Sequence, residues 1–436
     1  MGEEFSMTGQ LAGAGEACSL GAAKDAPGLH LLAVKRLWKI KVNKTLEAKL
    51  HKNIFLDYFH TFITNLNMQS SIWVLYLAYC GMSLAQIGLL EGVYHITSMI
   101  FEIPSGALAD LLGRKKSMAV SKTCIAISCL IMLYSRSFWL FALSFFIQAL
   151  GNNFNSGSEE ALVYDSMKAI GEEEKYITVC GQLNILIEVA QGIATVAGGV
   201  LAEYSFYWCY FASLVIALLA FLPVFGMTEA PFEKQQSVGN SIWEMLMDHF
   251  ETSIGVLKKD LRILRIVVYF SAVFAAQTLL FFYGQQYFFD LGCNKIRISL
   301  IMLQYSLFCC LGAYCSDKVF EKFGRRIAVI ASFFIAAAIA CFVFETAWLS
   351  AVMLSAAGFC NSLLYPIQSS ILNGLIPSEQ RATLISVNSM FFSVAMILLF
   401  PVAGFLADEM GLGKVLFGIG CLLVVFTFSW RKKILD

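Results

Sequence analysis

Charged residues are scarce in this chain. Only 14% of its 436 residues are Asp, Glu, Lys or Arg, whereas 58% are apolar, and soluble proteins carry roughly 25% charged residues. Apolar runs of about 20 residues, the length that crosses a bilayer as a helix, recur from residue 53 onward. The alternation of apolar and polar residues that a membrane barrel needs is missing. The composition therefore excludes a soluble fold and predicts an all-α membrane protein, because helices satisfy their own backbone hydrogen bonds in lipid.

The chain also lacks the residue patterns of catalytic and metal-binding sites. Its 13 cysteines are scattered, mostly inside apolar runs, without a CxxC pair or metal-ligand spacing. It has no phosphate-binding loop and no nucleophile with a recognisable base. The sequence therefore predicts that the protein is not an enzyme and that it has no cofactor, no metal and no nucleic-acid partner.

Twelve apolar runs fall into two sets of six, separated by the longest polar stretch of the chain. We expect residues 1–52 to be a cytoplasmic tail with a short basic amphipathic segment, and 53–227 to be the first six-helix bundle. A cytoplasmic linker is expected at 228–261, the second bundle at 262–431 and a second tail at 432–436. The predicted spans are approximately 53–78, 85–110, 117–136, 138–166, 177–203, 205–227, 262–289, 296–319, 325–345, 347–375, 381–407 and 412–430.

The positive charges are unevenly distributed among the predicted loops. If the N-terminus is inside, the outer loops contain only Arg136, Lys295, Arg297 and Lys414 of the 31 Lys and Arg residues. Loops rich in Lys and Arg stay on the cytoplasmic side of a membrane. The distribution therefore predicts a multi-pass plasma-membrane protein with both termini in the cytoplasm.

Short motifs repeat along the chain. "GALAD" at 106–110, "GVLAE" at 199–203 and "GFLAD" at 404–408 end three predicted spans, and "GAYCSD" at 312–317 is a looser copy. Nearly the same sequence distance separates the copies in the first half from those in the second. Two six-span halves, each made of two related three-span units, are typical of secondary transporters with a binding site between the halves.

One of these motifs carries a family resemblance. The stretch "GALADLLGRKK" is similar to the signature of the major facilitator superfamily (MFS) between its second and third helices, and its matching residues are Gly106, Asp110, Gly113, Arg114 and Lys115. In the second half, four extra residues separate Asp317 from Gly324 and Arg325. Either Asp317 or Glu321 could therefore correspond to the acid of the signature there.

The resemblance implies twelve transmembrane helices in two pseudo-symmetric bundles, working as a monomer in the lipid bilayer. It further implies that Asp110 faces the start of the eleventh helix, where the helix dipole stabilises a carboxylate. The basic residue of the signature, here Arg114, would pair with an acid at the inner end of helix four, for which the sequence offers Asp165. These contacts would form a gating latch on the cytoplasmic side.

Ionisable residues inside the predicted spans point to a transport pathway, because charge in a membrane is costly and is usually functional. In the second span, Glu91, His95, Ser98 and Glu102 recur at a spacing that places them on one helical face. The second half offers amides and hydroxyl groups instead, so we expect a cavity that is acidic on one side, neutral on the other and free of Lys and Arg near its middle. The candidate coupling and cavity residues are Asp57, Glu91, His95, Glu102, Glu159, Glu188, Gln191, Gln277, Asn361 and Gln368, with His60 beside Asp57.

These residues suggest a task. A carboxylate within a membrane can take up a proton, and when ionised it attracts cations; Glu188 and Glu102 are the favoured proton carriers. The sequence thus predicts a secondary active transporter that couples protons to the export of a cationic or neutral amphiphilic small molecule. A relation to drug–proton antiporters is weakened at "ATVAGG" (194–199), where the signature G-P-x-x-G-G of their fifth helix lacks its first Gly and Pro.

Two alternatives remain open on the sequence alone. The first is a proton-coupled importer of a nutrient such as a sugar or a peptide. The second is a transport-inactive membrane receptor or scaffold, against which the intact signature and the embedded acids argue.

Overall fold

The computed structural model describes residues 44–231, 247, 261–373, 375 and 381–435. The predicted basic segment before residue 44 and nearly all of the polar linker after residue 231 lie outside the described residues. Fourteen α-helices have described bounds: α1 Lys44–Asn65, α2 Trp73–Tyr79, α3 Leu84–Leu112, α4 Arg114–Tyr134, α5 Phe138–Ile170, α6 Tyr176–Tyr204, α7 Phe206–Leu219, α8 Phe221–Gly226, α9 Leu261–Asp290, α10 Lys295–Phe323, α11 Arg326–Ala340, α12 Ala347–Asn373, α13 Arg381–Met410 and α14 Leu412–Leu435.

Ten helical segments in the described part of the chain are long and apolar enough to cross a membrane. They correspond to all the predicted spans except the first and the fourth. The fourth is the continuous helix α5, whose length of 33 residues is ample. Helix α5 is long enough but not apolar enough to be counted with the ten, because a polar run that includes two acids, Glu159 and Glu160, occupies its second half.

The prediction of one continuous span over 53–78 is wrong. Helix α1 ends at Asn65, and α2 begins only at Trp73. Between them lies the sequence "LNMQSSI", whose turns are closed by short backbone hydrogen bonds such as Ser70 N to Asn67 O at 3.2 Å. Amide and hydroxyl side chains compete with helical hydrogen bonding, and a break of this kind inside a membrane is tolerated where it lines a cavity.

The turn between α3 and α4 explains the second half of the signature motif. Ser83 and Gln86 start α3 with reciprocal side-chain-to-backbone hydrogen bonds. Gly113 ends it with φ of +99°, a backbone conformation that favours glycine. Helix α4 then starts at once, so Arg114 and Lys115 occupy its first turn.

Two helix pairs, α3 with α13 and α6 with α10, join the two halves at the end opposite this turn. A Cβ atom at Gly404 of α13 would overlap the backbone of Leu84, and one at Gly199 of α6 would overlap the side chain of Ser299. Gly106, near the other end of α3, has nothing within 4 Å of its Cβ position. The halves therefore touch at one end, and the space between them opens at the predicted cytoplasmic end.

Candidate functional site

A cavity of about 400 Å³ lies between the two halves. The first half contributes its polar groups, among them Glu91 and His95 of α3 and Asn152 of α5. The second half contributes only Thr278, Met396 and aromatic rings. The aromatic lining from both halves comprises Trp73, Tyr94, Phe145, Tyr210, Phe281, Phe282 and Phe392. We call this space the central cavity.

Glu91 and His95 form a close pair in the wall of this cavity. They lie one helical turn apart on α3, with Glu91 Oε1 3.6 Å from His95 Nε2. The other ring nitrogen of His95, Nδ1, is 3.3 Å from the Ser393 hydroxyl of α13, and the Phe392 ring stands edge-on to the imidazole at 5.7 Å between centroids. Both Glu91 and His95 are 8% exposed, so this pair is largely shielded from water, and His95 links it to the other half through Ser393.

A second cavity of about 550 Å³ continues from the central cavity toward the predicted cytoplasmic end. It shares His95 and Phe392 with the central cavity and extends along α3 past Glu102 and Gly106 as far as Arg114. The predicted polar face of α3 therefore lines a continuous path. Glu102 is exposed on the wall of this path.

Asp57 and Glu159 do not line the central cavity. They meet His60 and Lys122 within the first half, where α1, α4 and α5 pack together. Lys122 is 2% exposed and lines a cavity of about 140 Å³ that shares Asn152 with the central cavity. The central cavity itself has no Lys or Arg among its described lining residues, and Lys122 lies in this smaller cavity beside it.

Glu188 and Gln191 lie on α6, away from the central cavity. Glu188 is exposed in a largely apolar crevice between α6 and α10, with Cys310 Sγ 3.6 Å from its Oε2. Gln191 donates to Asn65 Oδ1 at 3.3 Å, next to the break between α1 and α2. The structure therefore does not bring these two residues together with Glu91.

The amide candidates of the second half face neighbouring helices. Gln277 of α9 is 1% exposed and contacts the Tyr305 hydroxyl. Gln368 of α12 donates to Asn388 Oδ1 of α13 at 2.7 Å, and Asn361 is half-buried on the same helix as Gln368. Among the described residues that line the central cavity, none of these three amides is present.

At the predicted cytoplasmic end, Arg114 Nε lies 3.5 Å from Asp165 Oδ2. The Glu229 carboxylate accepts hydrogen bonds from the backbone N–H groups of Arg114 and Lys115 at 2.6 and 3.1 Å, so it caps α4. Lys115 Nζ donates to the backbone carbonyl of Met227 at 2.7 Å. Sequence reasoning missed Glu229, because nothing in a polar linker indicates which acid reaches a helix terminus.

Four further members of the predicted latch are Asp110, Asp317, Gly324 and Arg325. The side chain of Asp110 is outside the described residues, as are those at the start of α13, which it was expected to face. Asp317 is exposed near the end of α10. Gly324, with φ of +54°, ends that helix, and Arg325 directly precedes α11.

At the opposite end, two acids of the repeated motifs cap helices of the other half. Asp408 of α13 accepts hydrogen bonds from the backbone N–H groups of Leu84 and Ala85, both at 2.9 Å. Glu203 of α6 accepts one from the backbone N–H of Lys295 at 2.9 Å. Negative charge is favoured at a helix N-terminus, so these contacts stabilise the closed end. Both acids stand at the last position of a repeated motif, "GVLAE" or "GFLAD", and this position is the sequence signal for their shared role.

Comparison with known proteins agrees with this architecture. A model of the Major Facilitator Superfamily matches residues 55–312 and 266–433. The chain therefore belongs to the Major Facilitator Superfamily and is a transporter rather than an enzyme, as the sequence predicts. It is 24% identical to YxaM, an uncharacterised MFS-type transporter of Bacillus subtilis, over 381 residues that cover 84% of this chain and 92% of the relative.

Solved structures show the same fold. The nucleoside transporter NupG is similar with a TM-score of 0.71 at 15% identity, covering 88% of this chain and 98% of NupG. A D-xylose-proton symporter is similar with a TM-score of 0.64 at 13% identity, covering 90% of this chain and 98% of the symporter. The predicted all-α fold of two helical bundles is confirmed, and at these identities the likeness concerns the fold alone.

Proposed function

We propose that this protein is a proton-coupled secondary transporter that exports a cationic, aromatic small molecule by alternating access. The observation that carries the proposal is the central cavity, whose lining combines the Glu91 carboxylate with aromatic rings from both halves. It is proposed to act as a monomer in the plasma membrane with both termini in the cytoplasm, as the charge distribution predicts.

The lining of the central cavity matches the chemistry of such a substrate. The faces of Trp, Tyr and Phe rings attract cations, with about 0.5–2 kcal/mol for each well-placed pair. Trp73 contacts Phe145 and Phe282 with centroid separations of 5.6 and 5.2 Å, so rings of the two halves meet in one wall. Glu91 supplies a negative charge beside this wall, which favours a substrate with a positive charge next to a flat apolar body.

The two ends of the molecule support alternating access. Asp408 and Glu203 close the end opposite the predicted cytoplasmic loops, and the path along α3 is open at the other end. A substrate would enter the central cavity from the cytoplasm and leave after the halves exchange these contacts. Arg114, Asp165 and the proposed partner of Asp110 would then hold the cytoplasmic end.

Transport of ethidium, a fluorescent aromatic cation, tests this function. We expect inverted membrane vesicles that contain the protein to accumulate ethidium when their lumen is acidified, and Glu91→Gln to lower the accumulation about tenfold, since an interaction with a charged group contributes roughly 1.5–3 kcal/mol. The matched control is Glu174→Gln, which removes an exposed acid outside the cavity and should leave the accumulation unchanged.

If none of a panel of aromatic cations is accumulated in response to the gradient, the proposal of cation export is contradicted. Proton-driven uptake of a sugar or a nucleoside by right-side-out vesicles would instead favour the importer that the sequence left open.

A further inference from the structure

Four ionisable side chains form a buried group in the first half, separate from Glu91. They are Asp57 and His60 of α1, Lys122 of α4 and Glu159 of α5, which we call the cation cluster. Asp57, His60 and Lys122 are 1%, 0% and 2% exposed. One ligand atom from each of Asp57, His60 and Glu159 lies within 4.8 Å of the others, so a single small cation could contact all three residues.

The two carboxylates of the cation cluster have different surroundings. Glu159 Oε1 is 2.8 Å from His60 Nδ1 and accepts a hydrogen bond from Thr61 Oγ1 at 2.9 Å, while its Oε2 accepts one from the Asn155 amide. Neither oxygen of Asp57 has a hydrogen-bond partner among the residues that the structure describes. Asp57 is therefore the carboxylate of the cluster that receives no hydrogen bond from the described residues.

A count of charges shows what the cluster lacks. Two carboxylates and one ammonium group give a net charge of −1 as long as His60 carries no proton, so one proton or one other single positive charge makes the cluster neutral. Asp57 also interacts electrostatically with Tyr58 of α1 and Tyr176 of α6, whose phenol groups carry no charge at neutral pH. An uncompensated charge at such a depth is strongly destabilising, so one additional positive charge would stabilise the folded protein.

We propose that the cation cluster binds the coupling cation of this transporter, as one monovalent charge carried by a proton or by Na⁺. A divalent ion fits less well, because the Lys122 ammonium already supplies one positive charge and the sum would become positive. The inference rests on the proposed function, since a coupling ion exists only in a gradient-driven transporter. It places coupling at Asp57 rather than at Glu102 or Glu188, both of which are exposed.

Helix α5 connects the cation cluster to the central cavity. Asn155, which donates to Glu159, lies one helical turn from Asn152. Asn152 donates to the Tyr94 hydroxyl at 2.8 Å, and Tyr94 lines the central cavity next to His95. A cation bound at Asp57 therefore changes the charge at one end of a short row of hydrogen-bonding side chains whose other end lies in the cavity wall.

Transport in proteoliposomes separates coupling from substrate passage. Ethidium exchange is measured without any ion gradient, and ethidium accumulation is measured with a pH gradient in choline buffer or with a Na⁺ gradient at equal pH. Asp57→Asn should lower the ratio of accumulation to exchange at least about tenfold, since a charged site within a membrane is worth several kcal/mol. Glu159→Gln should do the same, and it decides the matter if Asp57→Asn does not fold.

The matched control is Glu47→Gln, an exposed acid on the same helix as Asp57, for which the ratio should stay at the wild-type value. The gradient that drives the wild-type protein identifies the cation as H⁺ or Na⁺. If either folded variant keeps the wild-type ratio, the inference is overturned.

Cation binding is also measured without a substrate. In detergent, either NaCl in place of choline chloride or a lower pH should raise the unfolding temperature of the wild-type protein by a few degrees. The same rise should be absent from Asp57→Asn and present in Glu47→Gln. If the unfolding temperatures change as expected but the wild-type protein does not exchange ethidium, only the proposed function is contradicted. If the unfolding temperature of Asp57→Asn rises as much as that of the wild-type protein, cation binding by the cation cluster is contradicted.

Discussion

Four acids occupy equivalent positions in the internal repeats, and two of them cap a helix of the opposite half. Asp408 accepts hydrogen bonds from two backbone N–H groups at the start of α3, and Glu203 accepts one from the first backbone N–H of α10. The first N–H groups of a helix have no partner within the helix, so a carboxylate that reaches them gains both hydrogen bonds and the dipole interaction. By symmetry, we expect Asp110 to cap α13, and Asp317 or Glu321 to cap α6, when the predicted cytoplasmic end closes.

At the scale of single residues, we expect Asp408→Asn to weaken the closed end. The amide keeps one acceptor oxygen but loses the charge and one of the two hydrogen bonds to α3. Because each such interaction contributes about 1 kcal/mol, the population open at this end should rise roughly fivefold. Labelling of the Leu84 region by a reagent that cannot cross the membrane measures this change. Glu409→Gln, at the exposed neighbouring position, should not alter the labelling.

At the scale of helices, the connection between α3 and α4 depends on one glycine. The positive φ of Gly113 lets α4 begin directly where α3 ends, and the Glu229 carboxylate then covers the start of α4. A Cβ at Gly113 would lie only 3.0 Å from the Glu229 carboxyl carbon. This turn therefore combines a backbone requirement with a close contact to the segment that leaves the first bundle.

We expect Gly113→Ala to destabilise the first bundle by about 1–3 kcal/mol, the cost of an extended conformation with positive φ for a residue with a side chain. The unfolding temperature in detergent should fall accordingly. Gly418→Ala in α14 provides the comparison, because a Cβ there meets nothing within 4 Å. This second substitution should be neutral or slightly stabilising, as alanine favours helix more than glycine does. Equal losses in both variants would contradict the role given to Gly113.

The sequence predicted those helical features that recur along the chain. Glycines and acids at repeated positions indicated the helix ends, and the spacing of Glu91 and His95 indicated a shared face. The break after Asn65 was missed because hydropathy averages over a span and hides a short polar segment. Lys122 was missed because its partners, Asp57 and Glu159, are far from it in sequence and meet it only through helix packing.

At the scale of the whole molecule, the two halves enclose a cavity that is open at one end. The glycines of the repeated motifs differ between the closed and the open end: Gly404 is packed against the backbone of α3, whereas Gly106 faces open space. When the molecule closes at the cytoplasmic end and opens at the other, Gly106 would become packed and Gly404 would face open space. A side chain at either position should therefore oppose one conformation only.

We expect Gly106→Val to favour the conformation described here and Gly404→Val to favour the opposite one. Pulsed electron resonance between labels at Lys116 and Lys322, exposed at the predicted cytoplasmic ends of the two halves, reports the difference. The distance should stay long in Gly106→Val and become shorter in Gly404→Val. A change in the same direction in both variants would contradict the symmetry argument.

The caps at the closed end also set an energy scale for transport. A carboxylate at a helix N-terminus contributes roughly 0.3–1 kcal/mol when it is near the surface, and this end has two. One elementary charge that crosses a potential of about 100 mV releases about 2.3 kcal/mol. The two capping contacts together are thus comparable in free energy to the work that a single ion can deliver. Contacts of this strength can break and re-form in every transport cycle.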